Sequence, residues 1–194
     1  MSSLVAEKIT DILVSKKIII SENRYLYTYG LQLGMLMIIN IATILVIGII
    51  LNMMWDSIIF IMTYIPLRSN AGGYHAKTQV RCYLYSIVMI IVTLICIKIV
   101  PWNGVICLSL TVVTGAIIFF FAPVEDANKP LGQMEKAIYK ERTRIILSLL
   151  VLLIMLFCYF NQITISICIM MGLVVLSIML LLGSITNLLN RTKY

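Results

Sequence analysis

His75, the single histidine of the chain, stands seven residues before Cys82 in the stretch Arg68-Ser69-Asn70-Ala71-Gly72-Gly73-Tyr74-His75-Ala76-Lys77-Thr78-Gln79-Val80-Arg81-Cys82. A lone loop histidine is ordinarily a solvated side chain, and a lone buried cysteine behaves as a small hydrophobe. Together, beside Gly72-Gly73, they suggest a thiol nucleophile with an imidazole base. Cys82 opens the apolar run that follows, and a helix N-terminus favours the thiolate, as do the charges of Lys77 and Arg81. Spacing sets a condition. In one continuous helix the two side chains would share a face but lie ~10.5 Å apart along the axis, whereas a base must come within roughly 2.6–3.2 Å of its proton. Either the chain bends between them or His75 acts across a subunit interface.

Other chemistries find fewer parts. A zinc site needs about three protein ligands, and one histidine with no metal-type cysteine spacing does not supply them, so neither metal nor cofactor is expected. Asp56 is the only acid in or beside an apolar run, which leaves aspartic catalysis without its second carboxylate. Ser69 has no nucleophile elbow around it.

The elements that must position this pair are set by composition. Of 194 residues, 61% are hydrophobic and 12% charged, with a mean hydropathy of +1.05, against roughly 45–50% and about 25% in soluble domains. That excludes an ordinary soluble enzyme and a disordered chain. It points to an all-α integral membrane protein, one polytopic domain over 1–194, with about six transmembrane helices. The predicted spans are Leu31–Leu51, Met53–Leu67, Tyr83–Val100, Val105–Ala122, Ile145–Phe160 and Ile163–Gly183. Fifteen residues at 53–67 reach about 22 Å, short of a ~30 Å hydrocarbon core, so four spans plus re-entrant or interfacial segments is the alternative. Residues 4–20 put Val5, Ile9, Ile12 and Leu13 on one face of an N-terminal amphipathic helix. It fits a helix in the membrane interface or an ordinary packing helix equally. Tyr25, Tyr27 and Tyr29 suggest an interfacial belt. The five cysteines, an odd number, are not a disulfide framework, and residues 1–30 lack the form of a secretory signal.

The net charge of +7 follows the same plan. In the six-span arrangement every Lys and Arg but Lys98 falls on one side: in the 1–30 region, the 68–82 loop, the 123–144 loop and the tail. That side is then the cytoplasmic one, with both termini on it, and Lys98 snorkels to the far interface. No basic stretch is interleaved with aromatics, so nucleic acid is not expected as a partner. Lys129, Lys136, Lys140, Arg142 and Arg144 of the second loop fit attraction of an acidic substrate or topology alone.

The core R-x-x-A-G-G-x-H-A-x-x-x-x-x-C from Arg68 to Cys82 resembles the AgrB family, the membrane cysteine peptidases of accessory-gene-regulator quorum sensing in Gram-positive bacteria. Ala122-Pro123 followed by Lys129-Pro130 is similar to the family's second polar loop, and length, spans and a basic N-terminus agree over nearly the whole chain. The resemblance implies that His75 and Cys82 are the catalytic pair, with Arg68, Gly72, Gly73 and Lys129 as motif or substrate-binding residues. For Arg68, a substrate-carboxylate contact and a topology anchor both remain open. Glycine pairs permit positive φ, which would supply the bend that the pair requires.

The implied substrate is an AgrD-like propeptide with an amphipathic leader, a central pheromone segment and an acidic tail. Cys82 would attack the carbonyl at the pheromone–tail junction, with His75 as base and then as acid to the leaving amine. An internal cysteine or serine of the propeptide would close a thiolactone or lactone and free Cys82. Thioester exchange is nearly isoenergetic, so the site must position groups rather than supply energy, and a membrane-embedded site would keep water from the acyl-enzyme. The setting is a bacterial cell membrane with lipid as solvent. The small polar surface of six thin spans leaves little to enclose a peptide, which suggests a homodimer. A small exporter or peptide channel without enzymatic activity is the alternative, although transporters usually carry ionisable residues inside their spans.

Overall fold

Inside a bilayer no water is available for backbone N–H and C=O groups, so long apolar runs must satisfy them internally and become helices. The computed structural model describes residues 2–74, 79–125 and 132–191. The helices are α1 (Ser2–Ser15), α2 (Arg24–Ile50), α3 (Met54–Ala71), α4 (Gln79–Ile99), α5 (Gly104–Phe121), α6 (Gln133–Tyr159) and α7 (Ile163–Arg191). Among the described residues the one extended feature is an isolated parallel bridge between Gly72 and Val124. Five helices are long and apolar enough to cross a membrane, namely α2, α4, α5, α6 and α7. The chain is an all-α membrane protein.

About six spans are expected from the sequence, with 53–67 among them; α3, the helix that carries that segment, falls outside the five. It does not stop near Pro66, however, but runs through it to Ala71. Proline removes one helical hydrogen bond. The turn beyond is secured instead by the carbonyl of Pro66, which accepts from Ser69 Oγ and Asn70 Nδ2, and by the contacts of Arg68 and Ala71 described below. α6 likewise begins at Gln133 rather than Ile145, so much of the expected 123–144 loop is helical. Residues 133–144 are mostly good helix formers, and the Gly132 N–H donates to Glu135 Oε2 at 3.1 Å. Elsewhere the breaks between the expected spans hold. Asn103 accepts from the Ile106 N–H at 2.8 Å as an N-cap, and Asn161 takes a left-handed φ of 61° between α6 and α7, a conformation asparagine tolerates.

The chain divides into two compact units, Met1–Val46 and Ile47–Tyr194. In the first, the small side of α1 is the buried one. Thr10 and Ala6 are fully buried, Thr28 Oγ1 donates to Thr10 Oγ1 at 3.1 Å, and Arg24 pairs with Asp11 at 2.8 Å. That hydrogen bond holds the Asp11 carboxyl below its ordinary value. Of the expected apolar face, Val5, Ile9 and Ile12 are exposed within this unit and Leu13 is half-buried.

In the second unit α7 is the centre, with α3, α4, α5 and α6 packed against it. Two thirds (67%) of its spanning window is buried, against 22% for α4, α5 and α6. Met170, Leu173, Leu176 and Leu180 are fully enclosed. The outer helices turn Val112, Phe120 and Leu152 outward, which a lipid surround tolerates and water would not.

Candidate active site

The Arg68–Cys82 motif begins on the last turn of α3 and ends in the first turn of α4. Between them the chain reverses at Gly72 (φ 69°) and Gly73 (φ 125°), values at which a Cβ is strained. Space demands glycine as well. A Cβ on Gly72 would run into the Val124 carbonyl oxygen. One on Gly73 would meet the Arg68 guanidinium and come within 3.1 Å of the Met179 carbonyl oxygen.

Arg68 closes this turn. Its Nη1 donates to the Gly72 carbonyl and its Nη2 to the Tyr74 carbonyl at 2.6 Å. Charge-assisted bonds of this kind are among the stronger ones. In this structure the guanidinium clamps backbone of its own chain.

Two distant segments complete the frame. The Val124 N–H donates to the Ala71 carbonyl at 2.9 Å, and the Tyr74 N–H donates to the Met179 carbonyl at 2.9 Å. The second contact is possible because α7 carries glycine at 183, where a Cβ would lie 2.8 Å from the Tyr74 nitrogen and 2.9 Å from the Gly73 carbonyl carbon. The start of the second polar loop is fastened too. Asn187 Nδ2 donates to the Glu125 carbonyl at 2.8 Å, and Lys136 pairs with the Glu125 carboxylate at 2.8 Å.

Cys82 is half-buried in the first turn of α4. Tyr85, one turn further on, packs edge-to-face against Tyr74 with ring centroids 6.4 Å apart. The residue before His75 thus touches the helical face that carries Cys82. Tyr64, one turn before Arg68 on α3, lies within electrostatic reach of both the Arg68 guanidinium and the Cys82 thiol.

Of the residues expected at the site, the structure brings Arg68, Gly72 and Gly73 into one turn and sets Cys82 on the adjoining helix. His75, Lys77 and Lys129 lie outside the described residues. Sequence reasoning missed Tyr64, Val124, Met179 and Gly183. A glycine inside an apolar helical run is a recognisable sign of close backbone approach, so Gly183 carried a signal. The others carried none, because their roles rest on contacts between distant segments.

These features define a class: an all-α polytopic membrane protein whose arginine-clamped glycine turn lies beside a helix-start cysteine. The family model described as AgrB, Accessory gene regulator B, matches residues 6–180, and the chain belongs to that family. It is 28% identical over 144 residues to "Putative AgrB-like protein 2" of Clostridium perfringens (strain 13 / Type A), covering 70% of this chain and 65% of that protein. It is 26% identical over 143 residues to "Putative AgrB-like protein" of Listeria monocytogenes serotype 4a (strain HCC23), covering 72% and 70%. The matched part is thus less than two thirds of the length of the Clostridium relative. No solved structure matches the chain.

Proposed function

We propose that this protein is a membrane cysteine endopeptidase that processes an AgrD-like propeptide in accessory-gene-regulator quorum sensing. Family membership supports a part in that peptide processing. One observation carries the finer reading: the clamped turn at Gly72-Gly73 delivers the chain, one residue before His75, onto the face of α4 that bears Cys82.

In the reaction His75 takes the proton of the Cys82 thiol, and sulfur attacks the carbonyl at the pheromone–tail junction. The C–N bond breaks, the proton passes to the leaving amine, and the tail departs. The pheromone segment stays on Cys82 as a thioester. An internal thiol or hydroxyl of the propeptide then attacks, its proton returns to the Cys82 sulfur, and the ring is released. A thiolactone forms by exchange of one thioester for another, with little net energy required. The Gly72 and Tyr74 carbonyls and the Tyr74 N–H have partners within the protein, which favours a turn that stays fixed through both steps.

The test uses purified protein in lipid with a synthetic propeptide, read by intact-mass spectrometry. The wild type is expected to gain a mass equal to the N-terminal propeptide fragment on Cys82. Cys82→Ala gains none and does not cleave, and His75→Ala forms the adduct at least about a hundredfold more slowly. Normal cleavage by Cys82→Ala would sink the proposal and move weight to a non-enzymatic exporter.

A further inference from the structure

A groove of about 930 Å³ runs between α5 and α6, lined almost wholly by apolar groups that include Val112, Gly115, Leu152 and Met155. At one end stand Phe119 and Arg144. The Arg144 guanidinium lies 3.9 Å from the centroid of the Phe119 ring. Its Nε is buried and finds no hydrogen-bond acceptor among the described residues, and no carboxylate among them pairs with it. Such a donor costs free energy unless something answers it. Lys140 and Glu141 flank it one turn nearer the helix start.

We propose that this groove holds an anionic phospholipid, with one acyl chain along the apolar wall and the phosphate on Arg144 and Lys140. Depth supports that occupant. Counted back from Tyr159 at ~1.5 Å per residue, Arg144 lies about 22 Å and Lys140 about 28 Å along α6. Across a ~30 Å hydrocarbon core this puts Lys140 at the opposite interface and Arg144 one turn inside it. From Arg144 to Met155 the groove extends about 16 Å, close to the thickness of one leaflet. Basic pockets between spanning helices are where anionic headgroups bind. A second copy of the chain is a poorer fit, because it would have to bring an anion to the depth of Arg144. Asp56, the acid beside an apolar run, already accepts from Cys168 Sγ at 3.3 Å.

The experiment is native mass spectrometry of the whole protein released from bilayer discs made of equal parts phosphatidylcholine and phosphatidylglycerol. Lys140 and Arg144 against Glu141 leave one net cation, worth about a fivefold preference for phosphatidylglycerol. Arg144→Gln is expected to bring the ratio close to one. Gly115→Leu fills the groove from a position where a Cβ has nothing within 4 Å, and it is expected to displace both lipids. Should Arg144→Gln fail to assemble, Lys140→Gln, altered at an exposed position, is expected to remove the same preference. Equal retention of the two lipids by the wild type would overturn the proposal. So would a preference that survives both charge substitutions, or a dimer mass that Gly115→Leu abolishes while the lipid stays bound.

Discussion

Arg68 and Arg144 stand on α3 and α6, helices in contact within one unit, and their guanidinium groups have opposite circumstances. Arg68 donates to two backbone carbonyls and so belongs to the fold. Arg144 lies on the Phe119 ring with its Nε unanswered, and that donor is the one the proposed phospholipid would meet. A cation in a membrane protein is thus informative through its acceptors more than through its charge. The largest expected effect follows directly. Arg68→Gln is expected to cost about 3 kcal/mol, the low end for two charge-assisted bonds, and to let the Tyr74 amide exchange freely with deuterium. Arg144→Met is expected to be neutral or slightly stabilising, since the orphaned donor leaves with the guanidinium. Thermal melts in one detergent, with hydrogen exchange at Tyr74, check both; equal losses would erase the distinction.

The same contrast recurs at two helical glycines, with a smaller effect. Alanine for glycine inside a helix gains about 0.5–1 kcal/mol when space allows. Gly115 has that space, and Gly115→Ala is expected to raise the melting temperature by that measure. At Gly183 the new methyl would press on the Tyr74 nitrogen and the Gly73 carbonyl, so the turn must leave α7 or the helix must shift. Gly183→Ala is expected to cost about 1–3 kcal/mol, as overpacking does, and to slow propeptide cleavage. If both substitutions stabilised, the close approach of turn and helix would be wrong.

These pairs also show why the sequence was readable in one respect and opaque in another. Hydropathy located α4, α5 and the start of α7 within a few residues, and the breaks it left at 101–104 and 161–162 are real turns. Arg68, Gly72 and Gly73, singled out in the 68–82 stretch, share one local turn. Hydropathy did not say which helix is the centre, because lipid and protein core are equally apolar: α5 and α7 read alike, yet α5 is mostly uncovered and α7 mostly enclosed. Nor could spacing reveal that Val124 bonds to Ala71 or Tyr74 to Met179. Such contacts join segments with no periodic relation to each other. The early start of α6 was hidden by charge, which marks a segment as polar without excluding a helix.

The smallest expected effect concerns the other side of that frame. Lys136 and Glu125 form an ion pair at 2.8 Å, but their side chains are 54% and 32% exposed, and exposed pairs contribute about 0–1 kcal/mol. Lys136→Ala is therefore expected to lower stability by under about 1 kcal/mol. The difference should shrink further in 1 M salt, where the screening length falls to about 3 Å. The segment itself is held at its own backbone, through the Val124 N–H donating to the Ala71 carbonyl and the Glu125 carbonyl accepting from Asn187 Nδ2, and these survive the substitution. Deuterium exchange at the Val124 amide is the deciding measurement. It is expected to remain slow in Lys136→Ala. Exchange there as fast as Arg68→Gln produces at Tyr74 would mean that the surface charge, not the backbone, fastens the second loop to the turn.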